Sequence, residues 1–217
     1  MKEFSYQFIA VSDKDVQVFL LPIADNLKSI DEGIIPEIQR RDIYSHRYRF
    51  DIDKRLLARC FCYRFMKNHY GVNNFELDFN QFKKPFLKYA SDICFNFSYS
   101  NEYTLVAISY KKKIGIDIEY MNPVLPIGQI AHEIMCSEEL SRFSLYGTDV
   151  KTQLFFFFNL FTAKESIVKA FGTGLYLDPK KLNTIPGYTY VHDHLSYIQS
   201  EISGLIKDYS LSMCIEQ

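Results

Sequence analysis

The chain has 217 residues and a formal net charge of −1, and 47% of its residues are hydrophobic against 24% charged. This length allows one large domain or two small ones, each with a buried core. The composition has no low-complexity tract and excludes an intrinsically disordered chain. No segment approaches the roughly 18–20 apolar residues of a membrane-spanning helix, so we expect no membrane association.

The cysteines indicate a reducing compartment. Five are present, and no two of them form a C-x-x-C pair. The odd number and the missing signal peptide favour free thiols and a cytoplasmic protein. Cys60-x-Cys62 falls in an apolar segment, which predicts core packing. His192-x-His194 has the spacing of a metal site but lacks further ligands, so loop histidines are predicted there.

Basic charge is concentrated in one segment of the first half. Between Arg40 and Lys67 the sequence has nine Lys or Arg residues and three Asp. This local excess favours a polyanionic partner such as a nucleotide or nucleic acid. It is equally typical of a solvated helix face, and the segment alone leaves both interpretations open.

The first half of the chain predicts strands followed by a helix. Apolar residues alternate weakly near residues 4–8 and 16–20, as is typical of strands. Between residues 53 and 69 apolar residues recur every four positions, which predicts a helix that Gly71 is placed to end. Stronger alternation predicts a hairpin of residues 93–99 and 104–109 around a turn.

The second half predicts a strand, a long helix and two further strands. The strand covers residues 114–120, and the last strands cover residues 195–202 and 209–215. The helix covers residues 153–171, with Gly172 as its C-cap. Its apolar run Phe155–Phe158 predicts a buried helix. The order of elements predicts an α+β fold with two similar halves that meet near residues 111–114.

Two acidic residues share a face of the strand at residues 114–120. Because a strand turns successive side chains to opposite faces, Asp117 and Glu119 project together, with Cα atoms about 6.5–7 Å apart. Carboxylates at this spacing can bind one hard divalent cation. Gly115 leaves the same face bare, which predicts room for a bulky ligand. A half-buried strand with its polar side in water explains the pattern equally simply, and the segment alone favours that interpretation.

The long helix carries a second charged group. Glu165 and Lys169 are neighbours at i and i+4, a spacing that a surface ion pair would explain. The apolar start of the helix predicts instead that the pair is substantially buried and needs a partner or a function. Glu165 would complete three carboxylates for Mg²⁺ with Asp117 and Glu119.

A third group lies in the first half of the chain. Lys84-Pro85 precedes the strand at residues 93–99, in which Ser98 is polar. Lys84 can contact a phosphate as a point charge, and the Ser98 hydroxyl can form a hydrogen bond to it. Taken alone, Lys84-Pro85 is explained more simply as a turn, and the segment with Ser98 as an ordinary strand.

In this order and spacing the three groups resemble the signature of the 4′-phosphopantetheinyl transferase superfamily, in its long single-chain type that activates nonribosomal peptide synthetases such as surfactin synthetase. The motifs are K-P at 84–85 followed by F-N-F-S-Y-S at 95–100, I-G-I-D-I-E at 114–119, and F-T-A-K-E-S-I-V-K at 161–169 followed by G-T-G-L at 172–175. The resemblance covers about residues 40–175.

The resemblance implies a reaction and an architecture. A serine of an apo acyl or peptidyl carrier protein would attack coenzyme A, receive 4′-phosphopantetheine and release 3′,5′-ADP. The enzyme would be a monomer that uses Mg²⁺ and binds neither nucleic acid nor a membrane. Two halves, residues 1–111 and 112–217, would be related by pseudo-two-fold symmetry, each a small antiparallel sheet packed on a long helix. The first would serve the 3′-phosphate side of coenzyme A and the second the metal, with the active site at their interface.

The resemblance also implies roles for individual residues. Asp117, Glu119 and Glu165 would be exposed ligands of Mg²⁺ beside the coenzyme A pyrophosphate. Lys169 would contact the pyrophosphate. Glu165 would act as the base, directly or through a metal-bound water. The residues implied in binding coenzyme A are Arg41, Lys54, Arg55, Lys84, Pro85, Ser98, Tyr99 and Lys169, with Lys54 and Arg55 as alternatives in an uncertain register.

Two positions depart from the family pattern. Tyr99 stands where histidine is usual, and its neutral hydroxyl brings no positive charge to a phosphate. Strand alternation also places Tyr99 on the apolar face, opposite Ser98. Phe161 stands where tryptophan is usual, which preserves an aromatic side chain.

Two other functions remain possible on the sequence alone. A non-catalytic module that binds nucleotide, coenzyme A or nucleic acid would explain the basic segment. It would leave the three carboxylates unexplained, because carboxylates repel phosphate unless a cation intervenes. A transferase that binds coenzyme A without transferring is the third alternative, for which Tyr99 is the only indication.

Overall fold

The structure is a computed structural model that describes residues 3–9, 11, 13–185, 189–202 and 205–217, apart from the side chain of Leu175. The chain forms two compact units. The first comprises Met1–Asn80 and Pro85–Lys112, and the second comprises Gln81–Lys84 and Lys113–Gln217. Each unit combines helices with antiparallel strands, which confirms the predicted α+β class.

The described residues of the first unit form the strands β1 (Gln7–Ile9), β2 (Val16–Pro22), β3 (Leu77–Phe79), β4 (Pro85–Leu87), β5 (Ile93–Ser100) and β6 (Tyr103–Tyr110). Four of them form an antiparallel sheet in the order β1-β2-β6-β5, and β3 pairs with β4. Strands β5 and β6 form the predicted hairpin, in which Ser100 pairs with Tyr103 across the turn. The large residues of β5 face the core of this unit, as their alternation predicts.

The described residues of the first unit also form the α-helices α1 (Ile23–Asn26), α2 (Glu37–Tyr44) and α3 (Arg49–Tyr70), and two short 3₁₀ helices at Leu27–Ser29 and Glu32–Ile34. Helix α3 extends four residues beyond the predicted start and packs against β6. Its apolar positions, such as Leu57 and Phe61, are buried in the core. Gly71 ends the helix in the left-handed conformation, at φ 68°, and its N–H donates to the Met66 carbonyl. The predicted role of Gly71 is confirmed.

In the part of the second unit that the structure describes, the strands are β7 (Ile114–Tyr120), β8 (Thr189–His192), β9 (Leu195–Glu201) and β10 (Tyr209–Glu216). They form an antiparallel sheet in the order β7-β10-β9-β8. Strand β10 is therefore central and pairs with both β7 and β9. Its register places Ser212 opposite Asp117 and Ser210 opposite Glu119. Side chains at directly opposite positions lie on one face, so these serines flank the two acidic residues.

The second unit also contains helices α4 (Ile127–Ile134), α5 (Ser137–Leu145) and α6 (Val150–Phe171). Asp149 is the N-cap of α6, and its carboxylate accepts a hydrogen bond from the Thr152 N–H. Gly172, with φ 73°, is the C-cap. The helix packs against β7 and β10. Gly172 is thus the predicted C-cap.

The prediction that the whole run Phe155–Phe158 is buried was wrong for its first residue. Phe157 and Phe158 are buried in a core formed with α4 and α5, but the Phe155 side chain is 49% exposed. A helix that packs on one side of a sheet cannot bury every side chain of four consecutive residues. None of the helices in the described part of the chain combines the length and apolar character that crossing a membrane requires.

Candidate active site

Strand β7 and helix α6 bring the predicted acidic and basic residues of the second unit together. Asp117 lies on the face of β7 that α6 covers, and its carboxylate is 2.6 Å from the Lys169 ammonium. The same ammonium donates to the Ile116 carbonyl at 3.2 Å. The two groups therefore form a strong charge-assisted pair between strand and helix.

Asp117 is more buried than predicted. It was expected to be an exposed ligand, but the residue is only 3% exposed. Helix α6 lies over this face of the strand, so the carboxylate is covered by the helix that carries its partner Lys169. Because Asp117 is buried, loss of Lys169 would leave its carboxylate as an uncompensated charge in a poorly solvated place, whereas the Lys169 side chain is 26% exposed.

Glu165 lies one helical turn before Lys169 on α6. Burial raises the pKa of its carboxyl, the Asp117 charge raises this pKa further, and the Lys169 charge lowers it. Asp117 and Glu165 are therefore close enough to repel each other. Glu119 is partly buried on the same face of β7 as Asp117.

The chemistry of these side chains fits a hard cation such as Mg²⁺, because the donors are carboxylate oxygens and two of them repel each other without a cation. The arrangement does not group all three. Across the described residues, no three His, Cys, Asp or Glu side chains lie close enough together to hold a metal ion. The assignment of Asp117, Glu119 and Glu165 as ligands stays a prediction.

The prediction that Gly115 leaves room for a bulky ligand was wrong. A Cβ atom at Gly115 would lie 2.0 Å from the Ser166 carbonyl oxygen and 2.3 Å from the Ala170 backbone nitrogen. The bare face of the strand is therefore occupied by the backbone of α6. This close approach sets the distance between Asp117 and the side chains of the helix.

Lys84 belongs to the second unit, where it joins β7 to α6. Its ammonium donates to the carbonyls of Ile114, Lys169 and Ala170, at 3.1, 2.6 and 3.2 Å. The Lys169 and Ala170 carbonyls lie in the last turn of α6, where the helix dipole favours a positive charge. The contacts indicate that Lys84 stabilises the junction of strand and helix, whereas its predicted contact with phosphate stays a prediction.

Ser98 and Tyr99 lie on opposite faces of β5, as alternation predicts. Ser98 is buried, and the Tyr99 ring stacks on Phe97 with centroids 6.5 Å apart. The Arg55 guanidinium lies over the Tyr99 ring, 5.3 Å from its centroid. Burial raises the pKa of the Tyr99 hydroxyl, which keeps the side chain neutral.

The other predicted coenzyme A contacts of the first unit lie on three different elements. Arg41 is on α2, with its side chain 78% exposed and paired with Glu37. Lys54 is on α3 and lies 2.6 Å from the Asp51 carboxylate. Pro85 begins β4.

Sequence analysis missed a buried ion pair next to the predicted site. Lys164 precedes Glu165, and its ammonium is 2.8 Å from the Glu139 carboxylate on α5, with side chains 3% and 0% exposed. Lys164 also donates to the carbonyls of Pro179 and Leu182, at 2.7 and 2.5 Å. The sequence signal for this pair was a lysine within an apolar helix, because a buried charge requires a partner of opposite charge.

Arg59, one turn after Arg55 on α3, was missed as well. Its guanidinium lies over the Phe97 ring, 4.6 Å from the centroid. Arg55 and Arg59 thus lie over two neighbouring aromatic rings of β5. The i, i+4 spacing of the two arginines was the available signal, because it places both side chains on one face of α3.

The weaker candidates are explained by packing. Cys60 and Cys62 are buried in the core of the first unit, as predicted. The five cysteines are free thiols. The His192 ring stacks on Phe171 with centroids 4.5 Å apart, and His194 lies in the turn between β8 and β9.

Residues 113–214 match the family model described as the 4′-phosphopantetheinyl transferase superfamily. This segment contains Asp117, Glu119, Glu165 and Lys169 together with their strand and helix. The match includes the second and third of the three motifs on which the resemblance depends, and the first motif, at residues 84–100, lies outside it.

Curated proteins that are also described as 4′-phosphopantetheinyl transferases are similar to between 98 and 160 residues of the chain. The chain is 28% identical over 160 residues to the 4′-phosphopantetheinyl transferase HetI of Nostoc sp., covering 66% of this chain and 65% of that protein. It is 37% identical over 98 residues to the transferase gsp of Aneurinibacillus migulanus, covering 45% and 38%. It is 28% identical over 132 residues to the transferase Sfp of Bacillus subtilis, covering 60% and 57%. The chain thus spans less than two thirds of the length of these curated relatives.

Proposed function

We propose that the chain is a 4′-phosphopantetheinyl transferase that modifies a serine of an apo carrier protein with the phosphopantetheine group of coenzyme A. The observation that carries the proposal is the Asp117–Lys169 pair beside Glu165, inside the segment that matches the family model. Three relatives described as 4′-phosphopantetheinyl transferases support it.

The reaction needs a base, and Glu165 is the residue that we assign to it. The serine oxygen forms a bond to the β-phosphorus of coenzyme A, and the bond from that phosphorus to the bridging oxygen breaks. The serine proton goes to Glu165, and the electron pair leaves with 3′,5′-ADP. In the metal-free protein burial raises the pKa of Glu165, and a carboxylate with a higher pKa is the stronger base. A cation bound to this carboxylate would lower its pKa, so direct proton transfer requires that Glu165 is not a metal ligand during that step.

Lys169 is proposed to contact the pyrophosphate. Its ammonium is already held by Asp117 and by the Ile116 carbonyl, so its position is fixed before a substrate binds. A positioned cation stabilises negative charge that develops on the leaving phosphate without costly reorganisation. Asp117 orients Lys169 in this proposal.

We extend the proposal to Mg²⁺, which Asp117, Glu119 and Glu165 would hold. The carboxylate oxygens are the ligands that this ion prefers, and the repulsion between Asp117 and Glu165 would be relieved by it. When bound, the ion would supply positive charge to the pyrophosphate.

Coenzyme A is proposed to contact basic and polar side chains of both units. In the second unit these are Lys84 and Lys169. In the first unit the residues are Arg41, Lys54, Arg55, Pro85, Ser98 and Tyr99. The Arg55 guanidinium over Tyr99 supports a phosphate contact there, since stacking leaves its N–H groups directed sideways.

The proposal is tested by incubating the protein with coenzyme A, Mg²⁺ and a panel of apo carrier proteins, with intact mass as the readout. The expected result is the addition of one phosphopantetheine group to a carrier. Asp117→Asn should abolish this addition, whereas Asp193→Asn makes the same chemical change at an exposed turn and should leave it intact. Binding of coenzyme A without transfer to any carrier would instead support the non-catalytic alternative.

A further inference from the structure

A cavity of about 500 Å³ lies in the second unit, between helices α5 and α6 and strands β8 and β9. Its volume falls within the roughly 300–1,000 Å³ of pockets that bind small molecules. Helix α6 lines it with Phe156, Leu160 and Ala163, which recur at i, i+4 and i+7 and therefore share one side of the helix. Glu165 and Lys169 lie on another side of α6, so the cavity is separate from the proposed transferase site.

The apolar part of the lining is largely aromatic. Phe155 and Phe156 contribute rings from α6, and the Tyr146 ring lies 5.3 Å from that of Phe156. The Phe155 side chain is 49% exposed although it lines the cavity. Exposed apolar surface within a concave site favours a ligand that has apolar groups of its own, because both surfaces then leave water.

Two side-chain amides in the polar part of the lining each have one group available. The Asn159 carbonyl oxygen accepts from the Ser210 hydroxyl at 2.7 Å, and the Gln199 nitrogen donates to the Ser212 hydroxyl at 3.4 Å. These contacts orient both amides. Among the residues that the structure describes, the Asn159 nitrogen and the Gln199 oxygen have no hydrogen-bond partner. The cavity thus offers one donor and one acceptor, which are the groups that a peptide bond requires.

One positive and one negative side chain complete the polar lining. Arg142 lies on α5, and Glu201 lies on β9 two residues after Gln199, on the same face of that strand. Neither charge forms an ion pair within the described part of the chain. Loss of water around the Glu201 carboxyl raises its pKa, and no positive charge opposes this shift. The two charges are therefore too far apart to neutralise each other, and each can pair with a charge of a ligand.

We propose that this cavity binds a short peptide of about two residues that has free termini and apolar side chains. The ammonium of the peptide pairs with Glu201 and its carboxylate with Arg142. The peptide N–H donates to Gln199, the peptide C=O accepts from Asn159, and the apolar side chains pack against the aromatic lining. A free amino acid fits less well, because its two charges share one carbon atom and cannot reach two separated partners. The site goes beyond the proposed function, since none of its residues is assigned to transfer.

Isothermal titration calorimetry of the full chain with a set of synthetic ligands tests the inference. Leucyl-phenylalanine has both free termini, its N-acetyl derivative lacks the ammonium, and its C-terminal amide lacks the carboxylate. Glycylglycine keeps both termini but has no apolar side chains. Phenylalanine represents a free amino acid.

The wild-type protein should bind leucyl-phenylalanine, and blocking either terminus should weaken binding about fivefold. The factor is modest because Arg142 and Glu201 are exposed, so water screens their charges. Glycylglycine should bind at least about tenfold more weakly, as expected when a buried leucine or phenylalanine side chain is lost. Phenylalanine should also bind more weakly than the dipeptide.

Two variants assign the ends of the ligand. Glu201→Gln should weaken binding of leucyl-phenylalanine about fivefold and leave binding of the N-acetyl derivative unchanged. Arg142→Met should have the same effect on the dipeptide and leave binding of the C-terminal amide unchanged. Glu133→Gln and Lys180→Met remove a charge at exposed positions outside the lining and should bind every ligand as the wild type does.

Failure of the wild-type protein to bind leucyl-phenylalanine would overturn the inference. A penalty in Glu201→Gln or Arg142→Met that persists when the matching terminus is blocked would overturn it as well. Phenylalanine that binds as tightly as the dipeptide would indicate an amino acid site instead of a peptide site. The titrations contain neither coenzyme A nor a carrier protein, so their outcome is independent of transfer.

Discussion

Lys164 and Glu139 form an ion pair 2.8 Å long in which both side chains are almost completely buried. The remaining acceptor capacity of Glu139 is used by the N–H of Cys136 and by the N–H and hydroxyl of Thr184. Burial lowers the pKa of the Lys164 ammonium, and the bond to Glu139 opposes this effect. The pair thus joins α5, α6 and the segment before β8 at the residue next to Glu165.

Removing one partner of this pair should destabilise the protein strongly. Lys164→Met leaves Glu139 as an uncompensated buried charge, and we expect the free energy of unfolding to fall by about 3–5 kcal/mol. Urea unfolding followed by far-UV circular dichroism measures the change. Lys180→Met at an exposed position is the control and should change stability by less than about 0.5 kcal/mol. Equal stability of the two variants would show that the pair is not buried.

The protonation of Glu165 should depend on its two charged neighbours in opposite directions. Its pKa lies above the ordinary value of 4.5, chiefly because of burial. Asp117→Asn removes a like charge and should lower this pKa, whereas Lys169→Met removes an opposite charge and should raise it. A side-chain NMR titration of Glu165 in metal-free buffer measures both shifts.

The sign of the associated stability change follows from the same shift. Because the folded-state pKa exceeds the unfolded value, the stability that this carboxyl confers is present below about pH 4.5 and is lost as the pH rises through the folded-state pKa. As a base, Glu165 should be effective only above that pKa, so the rate of transfer should rise with pH through it. Shifts of the same sign in the two variants would contradict the arrangement of the three charges.

Tyr99 should contribute through its ring more than through its hydroxyl. Tyr99→Phe preserves the contacts with Arg55 and Phe97, and a neutral hydrogen bond to phosphate contributes about 1 kcal/mol. The Michaelis constant for coenzyme A should therefore rise no more than about fivefold, and Tyr99→His should be tolerated. Tyr99→Ala removes the ring and should cost about 3 kcal/mol of stability. Steady-state kinetics and urea unfolding test these points, and an inactive but folded Tyr99→Phe would contradict them.

The sequence predicted those parts of the fold that depend on local pattern. Strand β7 has the predicted bounds, and Gly71 and Gly172 end α3 and α6 as predicted, because a left-handed residue after a helix strongly favours glycine. The common face of Asp117 and Glu119 also follows from alternation alone.

What the sequence could not predict depends on which elements pack together. Gly115 accommodates a helix backbone instead of a ligand, and this requires knowing that α6 crosses β7 there. Lys84 donates to carbonyls of β7 and α6, and the Lys169 carbonyl in α6 lies 85 residues further along the chain. The partner of Lys164 is on α5, and no local spacing connects the two residues.

The close approach of α6 to β7 gives the last prediction. Gly115→Ala places a Cβ atom 2.0 Å from the Ser166 carbonyl oxygen and 2.3 Å from the Ala170 nitrogen, and these are backbone atoms that cannot rotate away. The helix must shift, and we expect a loss of about 1–3 kcal/mol in stability, as is typical of overpacking.

Gly115→Ala should also reduce transfer more than its stability loss explains. Helix α6 carries Glu165 and Lys169, and a displacement of about 1 Å at a reacting group can reduce the rate 100-fold. Gly128→Ala is the matched control, because a Cβ atom on Gly128 in α4 meets nothing within 4 Å among the described residues. That variant should be as stable as the wild type or more so, since alanine favours a helix by up to about 1 kcal/mol. Urea unfolding and the transfer assay apply to both variants. Wild-type stability and turnover in Gly115→Ala would mean that α6 does not lie against β7 at this residue, and the pairing of Asp117 with Lys169 would then lose its structural basis.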